Sequence, residues 1–192
     1  MNMLTDSHDA VTADWAAALL DFWFNQVGES GWWSHDPALD QRCLGDYQAL
    51  WREKQALPAE SFLDRADDAL AAVLLFDQLP RNMFRGTAQA FDTDALARDI
   101  ARGAIAQGYD IQIGGAGRLF FYMPFQHSEA LEDQDMAVTL IEGTGDADAI
   151  DFARQHHAMI QRFGRFPHRN AVLGRQSTAE EIAFLRQPDS SF

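Results

Sequence analysis

The run from Ala66 to Phe76 is almost wholly apolar after Asp68, and it constrains the fold more than any other stretch of this chain. Apolar side chains around the full circumference of a helix need other elements on every side. The remaining sequence supplies such elements, nearly all of them with a helical apolar period. Trp15, Leu19, Phe22, Trp23 and Gln26 fall on overlapping faces of a helix over Asp14–Val27, dense enough in aromatics to be buried on more than one side. Asp36-Pro37 reads as an N-cap with proline at the first helical position, opening a helix towards Trp51. Pro58 opens the next, the apolar run lies within Ala59–Leu79, and Pro80 is expected to end it.

Thr93 or Asp92 caps a helix to about Gln107, and the aromatic stretch Phe120–Phe125 is expected to stop at or near Pro124. Ser128 is placed to cap a helix through Ile141, Asp148–Phe163 forms the penultimate helix closed by Gly164, and Ser177 or Thr178 starts a short last one to Arg186. Gly108–Gly117, where Tyr109, Ile111 and Ile113 alternate with polar residues, reads as a loop. With 192 residues, 47% of them hydrophobic, the chain suits a single domain over 1–192. About seven helices joined by short turns make it all-α.

Charge narrows the partners. A net charge of −14 would repel nucleic acid. No apolar run reaches the roughly 18–20 residues that span a bilayer, and Met1–Asp14 is polar and acidic, unlike a leader, so a cytoplasmic location is expected and membrane association is not. The single Cys43 leaves no intramolecular disulfide or thiolate cluster and reads as a small buried apolar residue.

Two turn segments echo one another. Leu79-Pro80-Arg81-Asn82-Met83-Phe84-Arg85-Gly86 and Arg162-Phe163-Gly164-Arg165-Phe166-Pro167-His168-Arg169-Asn170 both carry Pro, Arg-Asn and Gly beside Arg. Guanidinium forks on short turns suit carboxylate or phosphate, which makes Arg81, Arg85, Arg165 and Arg169 candidate anion ligands, oriented by Asn82 and Asn170. The same pattern also suits arginines that cap helix ends and pair with acids such as Asp77 or Glu129. Candidates for proton transfer are His127, His157 and His168, with Glu129 tuning one of them. His156 lies near the apolar stripe of Phe152, Met159 and Phe163. No His-Glu-x-x-His or comparable spacing selects a metal, and Gly114-Gly115-Ala116-Gly117 lacks the spacing and context of a dinucleotide loop.

Three blocks carry a family resemblance. Leu75–Gly86, Phe120-Phe121-Tyr122-Met123-Pro124-Phe125-Gln126-His127-Ser128-Glu129 and Arg162–Gly174 are similar to the signature blocks of a bacterial family known as domain of unknown function number 924. The likeness runs from Phe22-Trp23-Phe24 to Phe184-Leu185. It implies a fold similar to the tetratricopeptide-repeat-like α-α superhelix of stacked antiparallel helix pairs. It brings no reaction and no cofactor. Two functional classes follow: binding of a small anionic molecule in an Arg/His/Asn pocket, with or without catalysis, or a helical module gripping an acidic peptide. A closed pocket would favour the first and an open groove the second.

Overall fold

The computed structural model describes residues 14–187. The polar N-terminal stretch read as unlike a leader lies outside them up to residue 13. The described residues form helices and turns, with no strand among them. In order they are α1 (Trp15–Asp21), a π turn (Phe22–Val27), α2 (Glu29–Trp32), α3 (Pro37–Lys54), a 3-10 turn (Ala59–Phe62) and α4 (Ala66–Val73). A second π turn (Leu74–Gln78) leads into α5 (Leu79–Met83), followed by a 3-10 turn (Ala88–Phe91), α6 (Asp94–Ala106), α7 (Tyr109–Ile113) and α8 (Gly115–Gln126). Then come α9 (Leu131–Glu142), α10 (Ala147–Phe163), a 3-10 turn (Pro167–Arg169) and α11 (Ala179–Phe184).

The apolar run is the centre of the molecule. Ala69, Ala71, Ala72, Val73, Leu74, Leu75 and Phe76 are fully buried, and α4 packs against α1, α6, α7 and α8. Beyond it, α8 packs on α9 and α9 on α10, and the stack has the character of an α-α superhelix. Phe22, Trp23, Phe120, Phe121, Tyr122 and Phe125 fill the layers on either side of α4. Trp32 packs over the π turn that follows α1, its Nε1 donating to the Trp23 carbonyl at 2.8 Å, while Trp33 stays 58% exposed. None of the described helices is long and apolar enough to cross a membrane.

Several start signals act as read. Asp36 accepts from Ala38 N at 2.8 Å at the head of α3, and Thr178 and Glu181 form a reciprocal capping box on α11. Four expectations are corrected.

Gly108–Gly117 is no loop: α7 occupies its middle, because Gly108 and Gly114 at φ 73° and 63° reverse the chain and Asp110 is buried beneath it, accepting from Tyr122 Oη at 2.5 Å. Tyr109 is anchored in the same way, its hydroxyl donating to the Leu63 carbonyl at 2.9 Å. The aromatic stretch does stop near Pro124: α8 ends two residues on, at Gln126, with both neighbours of the proline buried, and packing outweighs the one lost helical bond so near the terminus. Ser128 does not cap α9. Ala130 stands at the cap, and Ser128 Oγ accepts from Ala130 N at 3.2 Å while donating to Asp133 at 2.6 Å.

Pro80 does not terminate the helix. The π turn shifts the hydrogen-bond register just before it and α5 follows directly, so one long helix becomes several shorter segments. With this break and the short α2 and α7, about seven helices is an undercount; α3, α6, α8, α9 and α10, of 12 to 18 residues, are the long ones.

Candidate functional site

Three segments far apart in sequence meet in one buried polar cluster, and the π turn at Leu74–Gln78 supplies its base. Pro80 has no N–H to give the Phe76 carbonyl, which instead accepts from Thr93 Oγ1 at 2.7 Å; Trp51 Nε1 donates in turn to that hydroxyl at 3.1 Å. From this turn Asp77 projects into the interior with no exposed surface. Its carboxylate meets His127 Nδ1 at 2.8 and 3.0 Å, accepts from Gln78 Nε2 at 2.6 Å, and lies 3.5 Å from the Arg81 guanidinium.

Arg81, one turn along, ties this segment to α6. Its Nη1 donates to the Asp77 carbonyl at 2.6 Å and to Asp94 Oδ1 at 2.9 Å, and its Nη2 to Asp94 Oδ2 at 3.2 Å. His127 closes α8, and the buried Gln134 of α9 fixes the chain on both sides of it by donating to the Gln126 and Ser128 carbonyls at 2.7 and 2.6 Å. Arg169 arrives from the 3-10 turn. Its Nη1 donates to the His127 carbonyl at 3.0 Å and lies 3.7 Å from Asp94, and its guanidinium sits 4.4 Å from the Phe166 ring centre and 4.7 Å from that of Phe91. Arg169 Nε is buried with no hydrogen-bond partner among the described residues. The His156 ring stands 6.2 Å from that of His127, its Nδ1 donating to its own helix at Phe152 O, and His168 lies 5.5 Å from Phe166.

The protonation states follow from this packing. Burial raises the Asp77 carboxyl, but Arg81 and then His127 outweigh it and hold it well below the usual carboxylate range. An ionised Asp77 only accepts, so His127 Nδ1 carries its proton and the neutral ring keeps a lone pair on Nε2. Burial lowers His127 further than Asp77 raises it. Burial also holds His156 down to about 3 and His168 to about 4, and lowers Arg169 to about 10, where it stays protonated at neutral pH. Two carboxylates, Asp77 and Asp94, thus face two guanidiniums, Arg81 and Arg169, and the charges cancel.

Of the residues predicted for a site, the structure brings together Arg81, His127, His168 and Arg169. The others sit in pairs of their own. Asn82 and Arg85 both bind Asp40, the Asn82 amide at 2.9 Å and the guanidinium at 2.7 and 2.8 Å, joining α5 to α3. Arg165 holds Glu181 at 2.7 and 2.9 Å, and Asn170 joins Ser177 and Arg175. Glu129 makes its hydrogen bonds with other groups, accepting from Phe166 N at 2.8 Å and from Arg175 at 2.6 and 2.9 Å and so clamping the 3-10 turn against the start of α9, while its charge favours the protonated form of His168 against the larger effect of burial. Asp77 has the position expected of Glu129. His157 turns towards α9 and meets Asp135 at 2.8 Å, while its neighbour His156 faces the cluster.

Asp77, Asp94 and His156 were missed as site residues. For His156 the signal was present, since it falls on the apolar stripe of its helix; for the two aspartates nothing in their spacing marks them. A cleft of about 270 Å³ is lined by Asp64, Arg65, Ala66, Asp67, Tyr109 and Gln112, none of them in the cluster. Among the described residues no group of three or more His, Cys, Asp and Glu is arranged to hold a metal ion.

Fold and site together define an all-helical protein whose motif blocks converge on a charge-balanced Asp–Arg–His cluster. The chain belongs to the bacterial family of proteins of unknown function DUF924, whose model matches residues 19–189. It is also similar to a solved structure, that of the protein of unknown function ATU0120 from Agrobacterium tumefaciens. The two share 37% identity, a TM-score of 0.84, and coverage of 91% of this chain and 98% of that one. No curated protein matches the chain.

Proposed function

We propose that the protein binds a small anion, a carboxylate or phosphate group, at the cluster of Asp77, Arg81, His127 and Arg169. His127 Nε2 then serves as the proton acceptor facing the ligand. The supporting observation is the pairing of two uncommitted atoms in a buried setting. Among the described residues, the hydrogen bonding of His127 is at Nδ1 to Asp77, with no partner at Nε2 on a ring 11% exposed, and Nε of Arg169, whose Nη1 binds the His127 carbonyl, is buried without one. Buried polar atoms are normally satisfied, so an unsatisfied donor beside a poised base suits an absent ligand. The same site would serve an enzyme that removes a proton from its bound acid. The acidic-peptide reading draws on arginines along a face, and Arg85, Arg165 and Arg175 are already held by Asp40, Glu181 and Glu129.

One observation favours a second reading. The balance of two carboxylates against two guanidiniums also suits a purely structural clamp between the π turn, α6 and the 3-10 turn. A thermal-shift screen against carboxylates and phosphates separates the two, run on the wild type, Arg169→Lys and His127→Gln. Anion binding predicts a ligand-specific rise of several degrees that both variants lose. Variants that melt lower, beside a wild type that responds to no anion, would leave the clamp.

A further inference from the structure

We propose, resting on that anion-binding reading, that an anion enters the cluster together with one proton, which His127 Nε2 carries. The groups facing His127 come from every element packed on it. They are Asp77 from the π turn, Arg81 from α5, Asp94 from α6, His156 from α10, and His168 and Arg169 from the 3-10 turn, with the Glu129–Arg175 pair behind them balanced within itself. Each guanidinium of the cluster already has a carboxylate: Arg81 binds Asp94 through two hydrogen bonds, and Arg169 lies 3.7 Å from the same group. An added anion therefore meets a site with no net positive charge. Leaving one charge uncompensated in a buried position is strongly unfavourable.

A proton from solvent removes the imbalance, and His127 is the histidine of the cluster whose ring nitrogen meets a buried carboxylate, that of Asp77. Asp77 at Nδ1 already favours the imidazolium, and an anion on the Nε2 side would hold the second N–H. His156 spends Nδ1 on the Phe152 carbonyl, and at His168 burial and then the guanidinium of the adjacent Arg169 oppose protonation. Binding of this kind strengthens about tenfold for each pH unit of acidification while free His127 is neutral and bound His127 is charged.

Isothermal titration with sulfate and with acetate tests this, since neither changes charge near neutral pH. The titrations are repeated in buffers of different ionisation enthalpy, and the slope of apparent enthalpy against that quantity counts protons. The expected result is uptake of about one proton per anion, coupled to His127. Binding without uptake overturns the proton coupling and leaves the anion site standing, whereas absence of binding to either probe overturns both. In His127→Gln any remaining binding is expected to show no uptake, and undiminished uptake overturns the assignment to His127. Should that variant not fold, the ¹⁵N resonances of wild-type His127 decide: sulfate is expected to move Nε2 to an imidazolium shift, and an unmoved Nε2 at saturation overturns the proposal.

Discussion

Acidification from about pH 7 to about pH 5 is expected to cost the folded protein about 4 kcal/mol through His156 and His168 alone. Burial holds these imidazoles neutral, to about 3 and about 4, against an ordinary 6.5 in the unfolded chain. A folded pKa depressed in this way means that the unfolded state takes up protons first. Stability is therefore lost as pH falls below the unfolded value, and the loss continues until the folded value is reached. Over this interval each histidine accounts for about 1.4 log units of differential protonation, or just under about 2 kcal/mol. The interval stops above the range where most carboxylates titrate. Urea denaturation at several pH values, with constant ionic strength, measures the effect as a fall in midpoint. His156→Phe, which keeps a ring of similar breadth against Phe166, should lose about half of the pH dependence. A flat profile between the two pH values, or a slope unchanged in His156→Phe, would refute the claim that these rings are buried neutral in the native state.

Other substitutions separate buried from peripheral charge. Asp77→Asn should destabilise by about 3–5 kcal/mol, because Arg81 and His127 lose a fully buried partner, and the deficit should shrink as pH falls through the usual carboxylate range, where Asp77 of the unfolded wild-type chain takes a proton that the folded one does not; chemical denaturation across pH checks both statements. Arg162→Ala removes a pair whose side chains are 51% and 62% exposed, and its effect on the denaturation midpoint should stay within about 1 kcal/mol. Gly117→Ala would set a Cβ 2.5 Å from Ile113 Cγ2 of α7 and 3.3 Å from Leu70 Cδ2 of α4, both packed against α8, so a loss of about 1–3 kcal/mol is expected in thermal melts. Thr178→Ala breaks the capping box of α11 and should cost about 1 kcal/mol, visible as faster amide exchange in that helix.

Local signals in the sequence were read well where the physics is local. Asp36-Pro37, Thr178 with Glu181, and the apolar run at Ala66–Phe76 each depend on neighbours within a few residues, and each appears in the structure in the expected role. Misreadings arose where a distant partner decides. Arg85, Arg165 and Arg169 read as anion ligands on their turns, yet Arg85 and Arg165 are held by Asp40 and Glu181, and Arg169 approaches Asp94. Asp77 and His127 are 50 positions apart, so only packing could join them. Pro80 looked like a helix end because proline removes a donor, and a π turn and a hydroxyl from Thr93 accommodate it. Gly108–Gly117 mimicked an alternating strand or loop, although Tyr109 and Asp110 are both anchored by hydrogen bonds to other segments.

The state of His127 tests the central claim most directly, and long-range ¹H–¹⁵N correlation spectra of the imidazole read it at neutral pH. The account predicts a neutral ring protonated at Nδ1 towards Asp77, with an unprotonated Nε2 whose resonance moves when a carboxylate or phosphate ligand is added. A ring protonated at Nε2 alone, or an Nε2 resonance indifferent to every anion tried, would contradict it and leave the cluster as a clamp that holds three helical segments together.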